Sequence, residues 1–231
     1  MRTFSVPSTH WHPDLDYNAF CQCANEYSGN FYDFIPQDGG GLAISFGDLP
    51  SAGEVQAFHL HCLEALVRGL GAGSGDDIAG LARELNSTLN LLGPRDICAP
   101  WFYARIDPAR RHLQYVNAGH EPALLVRGDR AHRLDRTGAA LGLSTRGVHR
   151  QKTIGIEEGD VLALFSETVP EETVLRVVLE HRNCGTAELT QTVLESCGRG
   201  IEDRSFAAIR VVGAGRHLLL EDHAEMALCA A

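Results

Sequence analysis

The alternation of apolar and small residues predicts a β-hairpin early in the chain. In "LAISF" the large apolar residues recur at every second position, which is the spacing of a strand with one buried face. We therefore predict strands at 29–35 and 41–47, because the "PQDGG" segment between them contains an Asp-Gly pair typical of hairpin turns. The hairpin places Asn30, Asp33 and Asp48 near one another along two paired strands.

Two helices are predicted after this hairpin. Apolar residues keep a helical period from 52 to 70, and the glycine-rich "GAGSG" then interrupts the pattern. A second helical period begins after Ser74 and continues to Leu92, where a Gly-Pro pair ends it. The first hairpin is thus followed by a pair of adjacent helices.

The second half repeats this order of strands and then helices. Five strand-like runs separated by turn residues are "APWFYARID", "HLQYVNAG", "PALLVRG", "VHRQKTIGI" and "DVLALFSE". Helices are predicted at about 170–182 and 186–197, with Thr186 as a candidate N-cap and Gly198 as the stop. A last strand is predicted at 204–212.

Strands that are grouped, and do not alternate with helices, indicate an α+β fold of packed layers with largely antiparallel sheets. No internal repeat or low-complexity linker divides the chain, so residues 1–231 are predicted to form a single domain.

Composition narrows the function classes. A formal net charge of -10 and an isoelectric point near 5.5 oppose nucleic-acid binding, which needs a basic face. The longest apolar runs are much shorter than the roughly 20 residues of a membrane span, and no signal-peptide pattern is found. Seven cysteines without a CxxC pair indicate reduced thiols and neither a disulfide framework nor a zinc site. These features predict a cytoplasmic protein.

Acidic residues stand at the ends of several predicted strands. Asp48 ends one strand, Glu167 ends another, and the Glu202-Asp203 pair precedes the last one. If the strand ends share one rim, these carboxylates repel each other unless cations lie between them, and Mg²⁺ and Mn²⁺ prefer such oxygen ligands. A two-metal site is one interpretation. The other is that these acids are ordinary turn and surface residues.

The order of several blocks resembles the SpoIIE/RsbU-like branch of the PPM metal-dependent protein Ser/Thr phosphatases. The blocks are "SGNFYDF", "GDLPSAG", "LQYVNAGHEPALLV", "GAALGL", "GDVLALFSETVPE" and "EDRSFAAIRV", and they cover about residues 17–212. The resemblance implies an α-β-β-α sandwich of two antiparallel sheets between helix layers. It also implies two Mn²⁺ or Mg²⁺ ions that activate water against a phosphoserine or phosphothreonine.

The resemblance is weakest at the implied metal ligands. Asn30 stands where the family has the first Asp of Gly-Gly-Asp-x-Tyr-Asp, whereas the bridging Asp48 and the backbone carbonyl of Leu49 are kept. Glu167 replaces the Asp of Thr-Asp-Gly, and Thr168 replaces its Gly. The terminal Asp-Asp-x-Thr is represented by a segment that begins at Glu202.

These replacements predict impaired catalysis. Two-metal catalysis needs ions about 3.5–4 Å apart, and a displacement near 1 Å costs on the order of 100-fold in rate. Asp48 and Glu167 are the candidate catalytic residues; Asp48, Leu49, Asn30, Glu167 and Glu202 are the candidate metal ligands, with Asp33 and Asp203 as nearby candidates. The favoured interpretation is a weakly active or inactive domain with little or no bound metal. An active Mn²⁺-dependent phosphatase and a non-catalytic binding module are the alternatives.

Two further expectations concern recognition. His120 in "VNAGHEP" is predicted to be exposed beside the cleft, as a candidate substrate contact, in a turn that Asn117 and Gly119 shape. The resemblance implies a phosphorylated STAS-like anti-sigma-factor antagonist, or a related switch protein, as the partner.

Overall fold

A computed structural model of the chain describes residues 2–5, 12–24, 28–49, 54–92, 98–198 and 202–213. The strands within these ranges are β1 (Arg2–Ser5), β2 (Leu15–Cys23), β3 (Asn30–Gln37), β4 (Gly41–Asp48), β5 (Trp101–Asp107), β6 (His112–Ala118), β7 (Ala123–Arg127), β8 (Arg130–Leu134), β9 (Lys152–Gly155), β10 (Val161–Phe165) and β11 (Arg204–Val211). The helices are α1 (Glu54–Gly73), α2 (Ile78–Leu92), α3 (Glu171–Glu180) and α4 (Thr186–Ser196).

Two antiparallel sheets form the centre of the molecule. One has the strand order β1-β2-β11-β10-β7-β8, and the other has the order β3-β4-β5-β6-β9. The hairpin predicted from "LAISF" is the β3–β4 pair, in which Asn30 lies opposite Asp48. The α+β class and the antiparallel sheets predicted from the sequence are therefore confirmed.

Three hydrophobic layers hold the sheets and helices together. Helices α1 and α2 cover the five-stranded sheet, where Leu63 and Leu85 pack with Trp101 in one buried cluster. The facing surfaces of the two sheets bury a second cluster that includes Phe46 and Leu164. A third cluster lies between the six-stranded sheet and helices α3 and α4. The layer order is α-β-β-α, as the family resemblance implied.

Several elements differ from the sequence pattern. Strands β1, β2 and β8 were not predicted; four of the five residues of β8 are exposed, so it carries no apolar alternation. Helix α1 continues to Gly73, through the first glycines of the predicted break. Gly185, and not Thr186, is the N-cap of α4. Thr186 begins the helix, and its amide and hydroxyl both donate to the Asp16 carboxylate, at 2.8 and 2.7 Å.

A cavity of about 790 Å³ lies at the end of the six-stranded sheet where β11 finishes, beneath the turn between α3 and α4. Arg127, Asp160 and Arg210 are among the residues that line it. Arg127 pairs with the buried Asp160 at 2.6 Å. The acids Glu167 and Asp203 lie at the opposite end of β10 and β11, where β10 finishes and β11 begins.

Candidate functional site

The candidate site begins where two paired strands meet at the edge of the five-stranded sheet. Asn30 is the first residue of β3 and Asp48 is the last residue of β4, and their Cα atoms are direct partners in the ladder. Side chains of cross-strand partners project from the same face of a sheet. Phe34 and Phe46, which lie on this face by the two-residue period, are buried between the sheets. Asn30 and Asp48 therefore face the six-stranded sheet.

The backbone around Asp48 is held closely against the start of β3. The Leu49 amide donates to the Gly29 carbonyl at 3.0 Å, and the Asp48 amide donates to the Pro100 carbonyl at 3.1 Å. A Cβ atom at Gly29 would lie 2.2 Å from the Leu49 carbonyl oxygen and 2.7 Å from Asp48 Oδ1. Only glycine fits there, so Gly29 allows the Asp48 carboxylate and the Leu49 carbonyl to approach β3.

The opposing wall comes from the six-stranded sheet, where β10 ends and β11 begins. The Thr168 hydroxyl donates to the Asp203 carbonyl oxygen at 2.6 Å and lies 2.9 Å from the Ser166 hydroxyl. The Ser205 amide in turn donates to Ser166 Oγ at 3.0 Å. This network fixes the backbone of Asp203, whose Oδ1 also accepts from the Ala24 amide at 2.7 Å.

The electrostatics show which acids approach Asp48. Burial raises the pKa of Asp48, and the negative charges of Asp203 and then Glu167 raise it further. The charges of Asp203 and Glu167, on the six-stranded sheet side, therefore act on Asp48 at the end of β4. Glu202, the candidate ligand in the sequence pattern, is exposed, and its neighbour Asp203 is the acid whose charge acts on Asp48.

Asn30 is buried with only 9% of its surface exposed, and its Nδ2 atom has no hydrogen-bond partner among the residues that the structure describes. Its backbone amide donates to Ser28 Oγ at 3.1 Å, and the Cys21 thiol lies 3.6 Å from its carbonyl oxygen. Burial is the main cause that raises the pKa of Cys21 to about 12. Cys21, on β2 of the six-stranded sheet, therefore contributes a neutral thiol to the site.

Asp33 does not join the site, contrary to its candidacy as a nearby ligand. It is three residues from Asn30 along β3, and the two-residue period of a strand turns it to the opposite face. There its carboxylate accepts from both Arg68 Nε, at 2.9 Å, and Arg68 Nη2 on α1. Asp33 therefore ties a helix to the sheet.

The prediction that His120 is exposed was wrong. His120 is only 5% exposed, its Nδ1 atom lies 3.0 Å from the Glu121 carbonyl oxygen, and its ring meets Phe46 edge-on with centroids 5.3 Å apart. Burial lowers the pKa of His120. Gly119 has a φ of 74°, and a Cβ atom there would lie 2.7 Å from the Ala140 amide nitrogen, so only glycine fits where the turn before His120 packs against Ala140.

The residues present fit a paired-metal site only in donor chemistry. Carboxylate, amide and backbone carbonyl oxygens suit Mg²⁺ and Mn²⁺. However, no group of three or more His, Cys, Asp or Glu side chains within the described ranges is close enough to hold a metal ion. The unpaired donor of Asn30 also occupies the position where a charged ligand is expected. The arrangement does not fit two bridged ions.

Sequence pattern alone did not identify Cys21 and Thr168 as contributors to the site. It also ranked Glu202 above Asp203 as a candidate ligand. Cys21 and Cys23 are two residues apart, a spacing that shares one face only on a strand, and β2 had not been predicted. Neither the sequence around Thr168 nor the "EDRS" segment at 202–205 signals a hydrogen bond between residues 35 positions apart. The burial of β2 does not alternate along the strand, so the sequence carries no two-residue period that would have identified β2 and, with it, Cys21.

Comparisons with known proteins agree with this fold. The family model for Stage II sporulation protein E (SpoIIE) matches residues 38–212. Phosphoserine phosphatase RsbU of Bacillus subtilis is 24% identical over 194 residues, which are 79% of this chain and 57% of RsbU. Protein IcfG of Synechocystis is 26% identical over 189 residues, which are 69% of this chain and 30% of IcfG. The chain thus spans little more than half of the length of RsbU and about a third of the length of IcfG.

A solved structure has the same architecture. The RsbU and RsbW domains of a Mycobacterium tuberculosis protein superpose with a TM-score of 0.74 at 20% identity, over 87% of this chain and 62% of that one. Within the described residues, no helix is long and apolar enough to cross a bilayer. Because the family model matches well over half of the sequence, this chain belongs to the SpoIIE family of PPM-type serine/threonine phosphatases.

Proposed function

We propose that this domain is a SpoIIE-type phosphatase-like signalling domain with impaired or absent hydrolytic activity, and that it acts in the cytoplasm by binding a regulatory protein. The partner class is a STAS-like anti-sigma-factor antagonist or a related switch protein. The observation that carries the proposal is the buried Asn30 facing Asp48, with an amide donor that has no partner.

Asn30 places a neutral amide where the family resemblance implies a charged metal ligand. Phosphatases of this fold use Mn²⁺ or Mg²⁺ ions, which need anionic oxygen ligands in fixed geometry. Asn30 removes one negative charge, while Glu167 extends its carboxylate by one methylene and is exposed. A cleft that holds its metals weakly also repels a phosphate dianion, because Asp48, Glu167 and Asp203 remain unscreened.

An active Mn²⁺-dependent phosphoserine or phosphothreonine phosphatase is the second candidate. One observation favours it: the charges of Asp203 and Glu167 raise the pKa of Asp48, and a bound cation would relieve that repulsion. The two candidates differ in metal affinity, which can be measured directly.

The experiment is calorimetric titration of Mn²⁺ into the purified chain, with hydrolysis of an aryl phosphate measured in parallel. We expect little heat, a thermal midpoint almost unchanged at millimolar Mn²⁺, and negligible turnover. Asp48→Ala is the test variant, and Asp38→Ala is the matched control, because Asp38 is an exposed acid in the turn of the same hairpin. Two tight Mn²⁺ equivalents that disappear in Asp48→Ala but persist in Asp38→Ala would establish the active enzyme.

A further inference from the structure

The misfit between the cleft and a metal pair indicates another cationic occupant. We propose that the cleft bounded by Asn30, Asp48, Glu167 and Asp203 receives an arginine side chain presented by a partner protein. The proposal rests on the proposed function, since it names the chemistry by which the metal-poor domain would recognise its partner.

The first argument is unbalanced negative charge. Asp48 ends β4 and Asp203 directly precedes β11 in the facing sheet, and the negative charges of Asp203 and of the exposed Glu167 both act on Asp48. Among the described residues, the ion pairs use other acids, and no lysine or arginine pairs with these three. Arg204, the neighbour of Asp203, directs its Nη1 to the carbonyl oxygens of Cys197 and Gly198, at 3.0 and 2.8 Å. Arg204 is therefore engaged elsewhere.

The second argument is the unpaired amide of Asn30. A buried donor without an acceptor costs roughly 1–3 kcal/mol, so such groups are rare unless a ligand completes them. Asn30 projects from the same face as Asp48, and its Nδ2 atom lacks a protein partner. A metal ion cannot accept a hydrogen bond from this group. A peptide can, because its backbone carbonyl oxygen is an acceptor.

An arginine residue in a peptide can neutralise the carboxylates and can also offer a hydrogen-bond acceptor to the Asn30 amide. Its guanidinium carries five N–H donors in a planar fork and bonds carboxylates in pairs, whereas a lysine ammonium is a compact, strongly hydrated charge. Two carboxylates from facing sheets can each accept from a different edge of that fork. The carbonyl oxygen of the same segment is then available to the Asn30 amide.

The test uses blocked tripeptides, acetyl-Gly-Arg-Gly-amide and its citrulline counterpart, which has a similar shape but no charge. Binding to the full chain is followed at low ionic strength by the NMR signals of the Asn30 side-chain amide. We expect the arginine peptide to shift these signals and to bind at least about tenfold more tightly than the citrulline peptide. Binding should weaken as salt is added.

Variants assign the contacts. Asp48→Asn and Asp203→Asn should each weaken arginine-peptide binding about tenfold, because both are isosteric and remove one charge. Asp38→Asn, at the other end of the hairpin, should leave binding unchanged. Retained NMR dispersion verifies that each variant is folded.

Three results would overturn the inference: equal binding of the arginine and citrulline peptides, equal binding of a lysine peptide, or the same weakening in Asp38→Asn as in Asp48→Asn. These failures are separate from failure of the proposed function, which would appear as tight Mn²⁺ binding and aryl phosphate turnover. A chain that neither hydrolyses phosphate nor distinguishes the two peptides would refute only the arginine assignment.

Discussion

The Thr168 hydroxyl donates a 2.6 Å hydrogen bond to the backbone carbonyl of Asp203 and so ties the end of β10 to the start of β11. A glycine at position 168 cannot make this bond. The family resemblance implies glycine at this position, so we expect this hydroxyl bond to distinguish the chain from relatives that keep the glycine. It holds Asp203 in the position where its charge acts on Asp48.

Restoring the family ligands should be cooperative, and the Thr168→Gly change in the set also releases Asp203 from its bond to the hydroxyl. We expect the combined variant Asn30→Asp, Glu167→Asp, Thr168→Gly and Glu202→Asp to hydrolyse an aryl phosphate with Mn²⁺ faster than the sum of the single changes predicts, because ligands of one site act as a unit. Initial rates at saturating Mn²⁺ provide the measurement.

The triple variant that keeps Glu202 is the matched control for this repair. If Asp203 supplies the ligand, as its charge on Asp48 suggests, the triple and quadruple variants should show equal rates. A folded quadruple variant with no gain would show that another feature, such as the "LPSA" segment, limits activity.

A substitution at Gly29 should damage the site through backbone contact alone. The added methyl group of Gly29→Ala would lie 2.2 Å from the Leu49 carbonyl oxygen, so the strands must separate. We expect a loss of about 1–3 kcal/mol in the free energy of unfolding, together with weaker arginine-peptide binding. Urea unfolding measures the first effect.

Gly69→Ala is the control with the opposite expected sign. Gly69 lies within α1, and a Cβ there meets nothing within 4 Å. Alanine should stabilise the helix by up to about 1 kcal/mol. Equal unfolding midpoints for Gly29→Ala and the wild-type chain would contradict the close approach at Leu49.

The sequence was sufficient for features that depend on periodicity and order. The helical period from Ser74 to Leu92 was predicted from its spacing, and on the observed helix α2 the residues Ile78, Leu81, Leu85 and Leu89 are buried on one face. The role of Asp203 in place of Glu202 could not be predicted, because the Thr168 hydroxyl reaches the Asp203 backbone carbonyl across 35 residues and such a tertiary contact has no local signal. His120 was misplaced for a similar reason: the packing of Gly119 against Ala140 is a tertiary contact with no local signal.

Stability should depend on pH through His120. Burial lowers its folded pKa below the ordinary value of 6.5, so the unfolded chain binds the proton more readily. The contribution is fully present above pH 6.5 and is lost as the pH falls from 6.5 towards the folded pKa. In that window the slope for one group approaches about 1.4 kcal/mol per pH unit. Urea unfolding at several pH values tests this.

His120→Asn should flatten this slope, because the asparagine amide can replace the Nδ1 donor to Glu121 without titrating near neutral pH. His132→Asn, at an exposed position of β8, should leave the slope unchanged. An identical pH dependence in wild type and His120→Asn would show that another group is responsible.

The charge of the cleft predicts a preference between partner forms. Without metal, a phosphate dianion must enter a field set by Asp48, Glu167 and Asp203, so we expect a STAS-type partner to bind at least as tightly when unphosphorylated as when phosphorylated. Affinities for both forms in chelator-treated buffer provide the comparison. A clear preference for the phosphorylated form would contradict the repulsion argument.

The pairing of β11 with β2 links the two ends of the molecule. Asp203 precedes β11 at the candidate site, while Arg210 lies near its other end, opposite Asp16, and lines the distant cavity. The eight residues of β11 span about 26 Å at roughly 3.3 Å per residue. Because strand side chains alternate, a slip of one residue would turn Arg210 to the wrong face and would move Asp203, which directly precedes the strand, by about 3.3 Å. A substitution that shifts the register between β11 and β2 would therefore disrupt both the candidate site and the cavity, even when the substituted residue is far from both.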